Sequence, residues 1–125
     1  IKESDVINLD YVQGLDFGYT NDPTAFNMTY IDTKNKKIYV YDGFYCKGMS
    51  NEKIASEIKS KLAHKHITTA DSAEPKSIDS IKSKGIRIKG AQNKPIDEFN
   101  HFWDSLRYAT EKYHAKGNRG RLALY

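Results

Sequence analysis

Three aspartates stand where a folding core has no use for a carboxylate. Asp16 sits in Gly14-Leu15-Asp16-Phe17-Gly18, after the apolar approach Tyr11-Val12 and before a turn, Asn21-Asp22-Pro23. An Asp ending a buried strand, with Gly two residues to either side, faces whatever lies at the strand end. The glycines let other groups come close to the backbone. Asp71 follows the short apolar run Ile67-Thr68-Thr69-Ala70, and Asp104 lies inside His101-Phe102-Trp103-Asp104-Ser105-Leu106-Arg107-Tyr108. Hard oxygen donors of this kind suit Mg²⁺ or Mn²⁺. Three of them gathered on divalent metal would equip a chain to hydrolyse phosphodiesters.

Each aspartate also has a plain structural explanation. Asp16 can cap the turn before Gly18. Asp71 precedes Ser72-Ala73-Glu74-Pro75, where Ser72 or Glu74 can satisfy the free N–H groups of a helix that Pro75 begins. It also falls at the carboxyl end of a strand, where open α/β sheets place their ligands. Glu74 is then a candidate for an outer contact to such a ligand, and Lys76 for a phosphate. His101 and Asp104 are three apart and share a helix face, so they can form an ordinary surface pair. Next to Trp103 and Leu106, however, Asp104 falls near the buried side, where a carboxylate without a cation is costly. His101 is then either a ligand to a second metal or a proton donor to a leaving oxygen. Arg107 is a candidate for structural pairing or for phosphate.

The elements that must position these groups follow from the periodicity. Strands are expected at Tyr11–Asp16, Ala25–Tyr30 and Lys37–Tyr45, the last two joined by the turn residues 32–36. Ser50 can cap a helix from about Asn51 to Ala63, with Ile54, Ala55, Ile58 and Leu62 at helical spacing. Ile67–Ala70 reads as a buried strand. A helix from Pro75 carries Ile78 and Ile81 and stops at Gly85. Ile86–Ile88 reads as a fifth strand, and a last helix runs from Ile96 or Asp97 to about Tyr113. This order, an antiparallel meander followed by αβ units, implies a mixed sheet with helices packed against it. Residues 1–10 read as a lead-in and residues 11–113 as one domain. Residues 114–125 read as a basic tail, either flexible or a β-hairpin arm.

Composition narrows the class. The 125 residues carry a net charge of +4 and nine tyrosines, which permits a polyanionic partner without demanding one. The single cysteine, Cys46, excludes an internal disulfide and a thiolate metal site and suits a reducing compartment. No apolar run approaches membrane-spanning length, and the N-terminus lacks the order of a signal peptide, so no membrane is expected as a partner.

The same residues carry a resemblance. Gly14-Leu15-Asp16-Phe17-Gly18-Tyr19-Thr20-Asn21-Asp22-Pro23-Thr24-Ala25 resembles the opening of the nuclease domain of tailed-phage terminase large subunits. Residues 70–78 and 100–109 are similar to that family's second and third acidic motifs. The likeness spans nearly the whole chain, and its middle motif is quite specific. It implies an RNase H-like α/β fold, a central mixed five-stranded sheet flanked by helices. It also implies a metal-dependent endonuclease that cuts concatemeric double-stranded viral DNA during packaging, in the host cytoplasm.

On this resemblance Asp16, Asp71 and Asp104 form the acidic triad, with His101 beside it, on two divalent cations, Mg²⁺ or Mn²⁺. Asp16 would bridge them, Asp71 holding one and Asp104 the other. The implied partners are the terminase ATPase domain, the small subunit and the portal. The chain departs from the family in two places. It contains no Gly-x-x-x-x-Gly-Lys-Ser/Thr, so it reads as the C-terminal domain without its ATPase motor. The link from Gly90 to Pro95 is also shorter than the family's usual insertion, so either the loop is naturally short or residues are missing there, and the same applies within the tail. The competing readings are another RNase H-like nuclease, such as a junction resolvase or hybrid nuclease, and a non-catalytic DNA-binding module.

Overall fold

The computed structural model describes residues 9–18, 21–92, 101–113 and 123–124; of residues 101–103 and 123–124 it describes the backbone alone. Strands β1 (Asp10–Asp16), β2 (Pro23–Asp32) and β3 (Lys37–Lys47) form the expected antiparallel meander. Helix α1 (Asn51–Ser60) leads to β4 (Thr68–Ala70), helix α2 (Pro75–Ser83) to β5 (Ile88–Gly90), and helix α3 spans His101–Ala109. The sheet order is β5-β4-β1-β2-β3-β6, with β4 parallel to β1 and β5 parallel to β4.

A short sixth strand, β6 (Ala123–Leu124), adds to the five expected ones and pairs with Lys37–Ile38 in parallel. Residues 114–122, most of the lead-in, the 93–95 link and the expected start of the last helix lie outside the described residues. Among those described, no helix is long and apolar enough to cross a membrane.

Alternation decides which face each strand residue takes. Leu15, Phe26 and Met28 pack on one side with Ile54, Ile58, Ile78 and Ile81 of α1 and α2. Ile31 and Ile38 pack on the other with Leu106 of α3, and Val12, Val40 and Tyr113 flank them. Strand β2 is buried over most of its length because it has a neighbour at each edge and helices on both faces. Strand β3 lies farther out, and its Tyr41 and Tyr45 are exposed.

Several boundaries differ from the expected ones: β2 and β3 are longer, and helix α3 ends at Ala109, with a separate 3-10 turn over Glu111–Tyr113. The fifth strand begins at Ile88 rather than Ile86. The Arg87 carbonyl accepts from Thr68 N–H at 2.8 Å and the Ala70 carbonyl from Ala91 N–H at 2.6 Å, the slanted bonds of a parallel pair in which Thr68–Ala70 face Ile88–Gly90. Helix α1 stops at Ser60, short of Ala63. Leu62, expected on its apolar face, is left-handed (φ 57°) and 66% exposed, and the chain turns there into a 3-10 turn, Ala63–Lys65. The helix start is as expected: Ser50 Oγ accepts from Lys53 N–H at 3.1 Å.

Helix α3 is held down by polar contacts as well as apolar ones. Asn27, fully buried on β2, donates to Ser105 Oγ at 3.1 Å and to the Gly14 carbonyl at 3.4 Å, and accepts from Thr29 Oγ1 at 2.7 Å. Truncation at Asn27 leaves several buried polar groups without that partner. Asn27→Ala is expected to cost about 2–3 kcal/mol, read as a lower urea midpoint with unchanged slope. A midpoint equal to the parent's would contradict this role.

Candidate functional site

Asp16 is the last residue of β1 and lies on the same face as Gly14, beneath α3. It is only 5% exposed. The loop beyond it is drawn in tightly. Gly18 N–H donates to the buried Thr24 Oγ1 at 2.9 Å. A Cβ built on Gly18 would lie 2.2 Å from the Asp22 carbonyl oxygen, so only glycine fits. The backbone thereby holds Asp16 at a defined strand end.

Asp71 follows β4, the parallel neighbour of β1. Leu15 pairs with Ala70, so continuing the register by one residue sets Asp71 beside Asp16. Adjacent strands are about 4.8 Å apart, which makes the two carboxylates close lateral neighbours. Asp71 is half-buried, and its Oδ1 accepts from Ala73 N–H at 2.9 Å. That bond closes the turn into α2. The expected capping by Ser72 or Glu74 is not what the helix uses: Glu74 occupies the cap position and makes no side-chain capping bond, and Pro75 fills the first turn.

Asp104, 3% exposed, enters from above on α3. Its helix packs over β1, β2 and β4. The approach is closest at Gly14, where a Cβ would meet the Ser105 carbonyl oxygen at 1.8 Å. Arg107 Nη1 lies 3.9 Å from Asp104 Oδ1, an ion pair too long for a hydrogen bond. That guanidinium nitrogen is itself buried without a hydrogen-bond partner among the described residues. The side chain of His101 lies outside the described residues.

One residue reports on all three acids together. Tyr108, one turn beyond Asp104 on the same helix face, is 1% exposed, and its hydroxyl has no hydrogen-bond partner among the described residues. Its ionisation is pushed far up, first by burial and then by the negative charges of Asp71, Asp16 and Asp104 in that order, with Arg107 opposing. Three carboxylates from β1, β4 and α3 therefore act on one buried hydroxyl. Sequence reasoning quoted Tyr108 within its motif and assigned it no role. The signal was its i, i+4 spacing from Asp104.

The donor set is all carboxylate oxygen, and two of its members, Asp16 and Asp104, are almost fully buried. That chemistry fits a hard divalent cation. Among the described residues, no three His, Cys, Asp or Glu side chains already stand at ligating spacing, so cation binding would have to draw the carboxylates inward. Among the described residues, a cavity of about 450 Å³ lies away from the acids, by Tyr11, Gln13, His66, Lys89 and Lys112, and another of about 480 Å³ is lined by Phe17 and Gly18, directly after Asp16 in the chain, with Met49, Ser50 and Ser77.

Comparison with known proteins bears on this arrangement. Residues 16–92 match the family model described as the terminase RNase H-like domain. The chain is 36% identical over 104 residues to the terminase large subunit of Bacillus phage SPP1, covering 81% of this chain and 24% of that protein. It is 33% identical over 82 residues to the PBSX phage terminase large subunit of Bacillus subtilis (strain 168), covering 66% of this chain and 19% of that one. The chain thus spans a quarter or less of these relatives. The crystal structure of the SPP1 large terminase nuclease domain with bound Mn superposes with a TM-score of 0.80 at 27% identity, covering 90% of this chain and 92% of that one.

Proposed function

Since the chain belongs to the terminase RNase H-like domain family, as a large-subunit nuclease domain, we propose that it is a metal-dependent endonuclease. Its substrate is double-stranded viral DNA, cut from concatemers during genome packaging. The observation that carries this reading is the placement of Asp16 at the end of β1, of Asp71 one residue beyond its parallel neighbour β4, and of the buried Asp104 on the helix seated over both strands. The Mn bound by the similar SPP1 domain supports it.

In this reading Asp16, Asp71 and Asp104, with His101, hold two divalent cations, Mg²⁺ or Mn²⁺. Bound there, the cations supply Lewis-acid chemistry, lowering the pKa of the attacking water and taking up charge on the leaving 3′ oxygen. The chain's own contribution is placement. Asp16 is fixed by the β1–β2 ladder, Asp71 by its turn bond to Ala73, and Asp104 by a helix seated on Gly14. Elements of this kind hold donors more precisely than loops do. His101, three residues before Asp104 in the sequence, would give a proton to the leaving oxygen. No base-reading groups are needed for such chemistry, so little sequence preference is expected. The ATPase domain, the small subunit and the portal are the partners proposed for the whole protein.

The test is incubation with supercoiled plasmid in Mn²⁺, in Mg²⁺ and with chelator. Nicked and linear products in metal, absent with chelator, are expected. DNA bound without cutting in any metal would contradict the proposal and favour a binding module. Preference for branched DNA or an RNA/DNA hybrid over linear duplex would redirect it to another RNase H-like nuclease.

A further inference from the structure

Asp16, Asp71 and Asp104 place three negative charges at one end of β1 and β4, where a polyanion is repelled except at the cations themselves. Duplex DNA must therefore be held by cationic side chains under the phosphates that flank the cut, the contacts that supply non-specific affinity. The cavity of about 450 Å³ beside Tyr11 and Lys89 stands in the right place for one set of them.

Thr69 is buried in the wall of this cavity and precedes Asp71 by two residues, so the two side chains take the same face of the sheet. That face is the one α3 covers, because Thr69 pairs with Gly14, on which the helix is seated. From Thr69 the cavity runs away from the acids to Ile67, four residues before Asp71 and about 13 Å from it at strand spacing. That is the rise of about four base pairs. A duplex with its scissile phosphate at the acids can therefore reach the cavity with its neighbouring backbone.

The chemistry of the rim suits that backbone. Lys89, Lys112, His66 and Gln92 are exposed around the opening. Lys89 is on β5, the edge strand, in register with Thr69, and Lys112 is on the 3-10 turn after α3. Two cations thus reach one opening from separate elements, and among the described residues neither is in an ion pair. The acid in the lining, Glu111, accepts from Gln92 N–H at 3.0 Å. We propose that this cavity is a binding site for backbone phosphates of the duplex beside the cut, with Lys89 and Lys112 supplying the charge. This rests on the nuclease reading. The two lysines hold DNA and touch no reacting atom.

The test is the double variant Lys89→Gln/Lys112→Gln, compared with Lys34→Gln/Lys82→Gln, which removes the same charge from exposed residues outside the cavity. Melting temperature and Mn²⁺ binding without DNA are expected to stay parental in both. In plasmid cutting with Mn²⁺, the cavity variant should keep its rate at saturating DNA within about twofold while KM rises at least about tenfold at low salt. Duplex binding in chelator should weaken likewise, and its dependence on log salt should lose a slope of about 2, one for each phosphate contact. An unchanged KM and salt slope would overturn the proposal and leave the cavity to a protein partner. An equal loss in Lys34→Gln/Lys82→Gln would also overturn it, as an effect of net charge alone. So would a fall in rate at saturating DNA with KM unchanged. If the parent protein cuts in no metal, the nuclease reading fails and this proposal falls with it. Parental cutting with an indifferent cavity variant removes only the second.

Discussion

Asp71→Asn is expected to lower metal-dependent DNA cutting about a thousandfold while leaving the fold intact. The change removes one negative ligand and keeps the shape. Lewis-acid stabilisation by a well-held cation is worth several kcal/mol. Losing roughly 4 kcal/mol of it corresponds to about three decades in rate. Stability should not suffer, because an amide oxygen at residue 71 can still accept from Ala73 N–H, the bond that Asp71 Oδ1 makes at 2.9 Å. Removing one charge from a set of three is expected to raise the melting temperature slightly without metal and to reduce the stabilisation that Mn²⁺ confers. Plasmid cutting and thermal melts, each with and without Mn²⁺, check both halves. A variant that cuts at the parental rate would sink the assignment of Asp71. One that fails to fold would show that its role is the turn.

Gly14→Val should have the opposite profile, with the fold lost first and the chemistry only as a consequence. A Cβ at this position lies 1.8 Å from the Ser105 carbonyl oxygen and 2.9 Å from both the Cβ and the nitrogen of Ala109. Two of those contacts are backbone atoms of α3, which no rotamer change can move. The helix must rise, breaking the Asn27–Ser105 bond and carrying Asp104 away from Asp16. Overpacking of this severity is expected to cost more than about 3 kcal/mol. Urea unfolding measures it, and Mn²⁺ binding should weaken in the fraction that stays folded. Parental stability in Gly14→Val would mean that α3 does not seat on β1 as described.

The contrast between these two residues shows what was legible in the chain before its structure. Gly14 and Asp16 stood out because the pattern Gly-x-Asp-x-Gly breaks an apolar strand, and the reading that glycine admits a close neighbour there matches the approach of Ser105. Asp71 stood out for the same reason, a carboxylate ending an apolar run. The meander, the αβ units and the apolar faces of α1 and α2 followed from period alone.

What could not be read was set by contacts distant in sequence. Asn27 and Gln13 look like solvent-facing strand residues, and both are buried. Gln13 donates to Thr68 Oγ1 at 2.9 Å and to the Ala63 carbonyl at 3.1 Å, partners that only the β1–β4 pairing supplies. That β5 starts at Ile88 is set by its pairing with β4, and residues 86–90 show no local sign of it. Leu62 fits the apolar period of α1, yet the chain leaves the helix just before it. Tyr108 was hidden by abundance, one of nine tyrosines, and only burial beside three acids separates it from the rest.

The central claim is that Asp16, Asp71 and Asp104 together hold divalent cations. Calorimetric titration of Mn²⁺ into the protein and into Asp16→Asn, Asp71→Asn and Asp104→Asn tests it most directly, because it needs no DNA and no turnover. The account predicts saturable binding by the parent and at least about tenfold weaker binding by each variant. Absence of binding by the folded parent, or binding that all three substitutions leave unchanged, would contradict it.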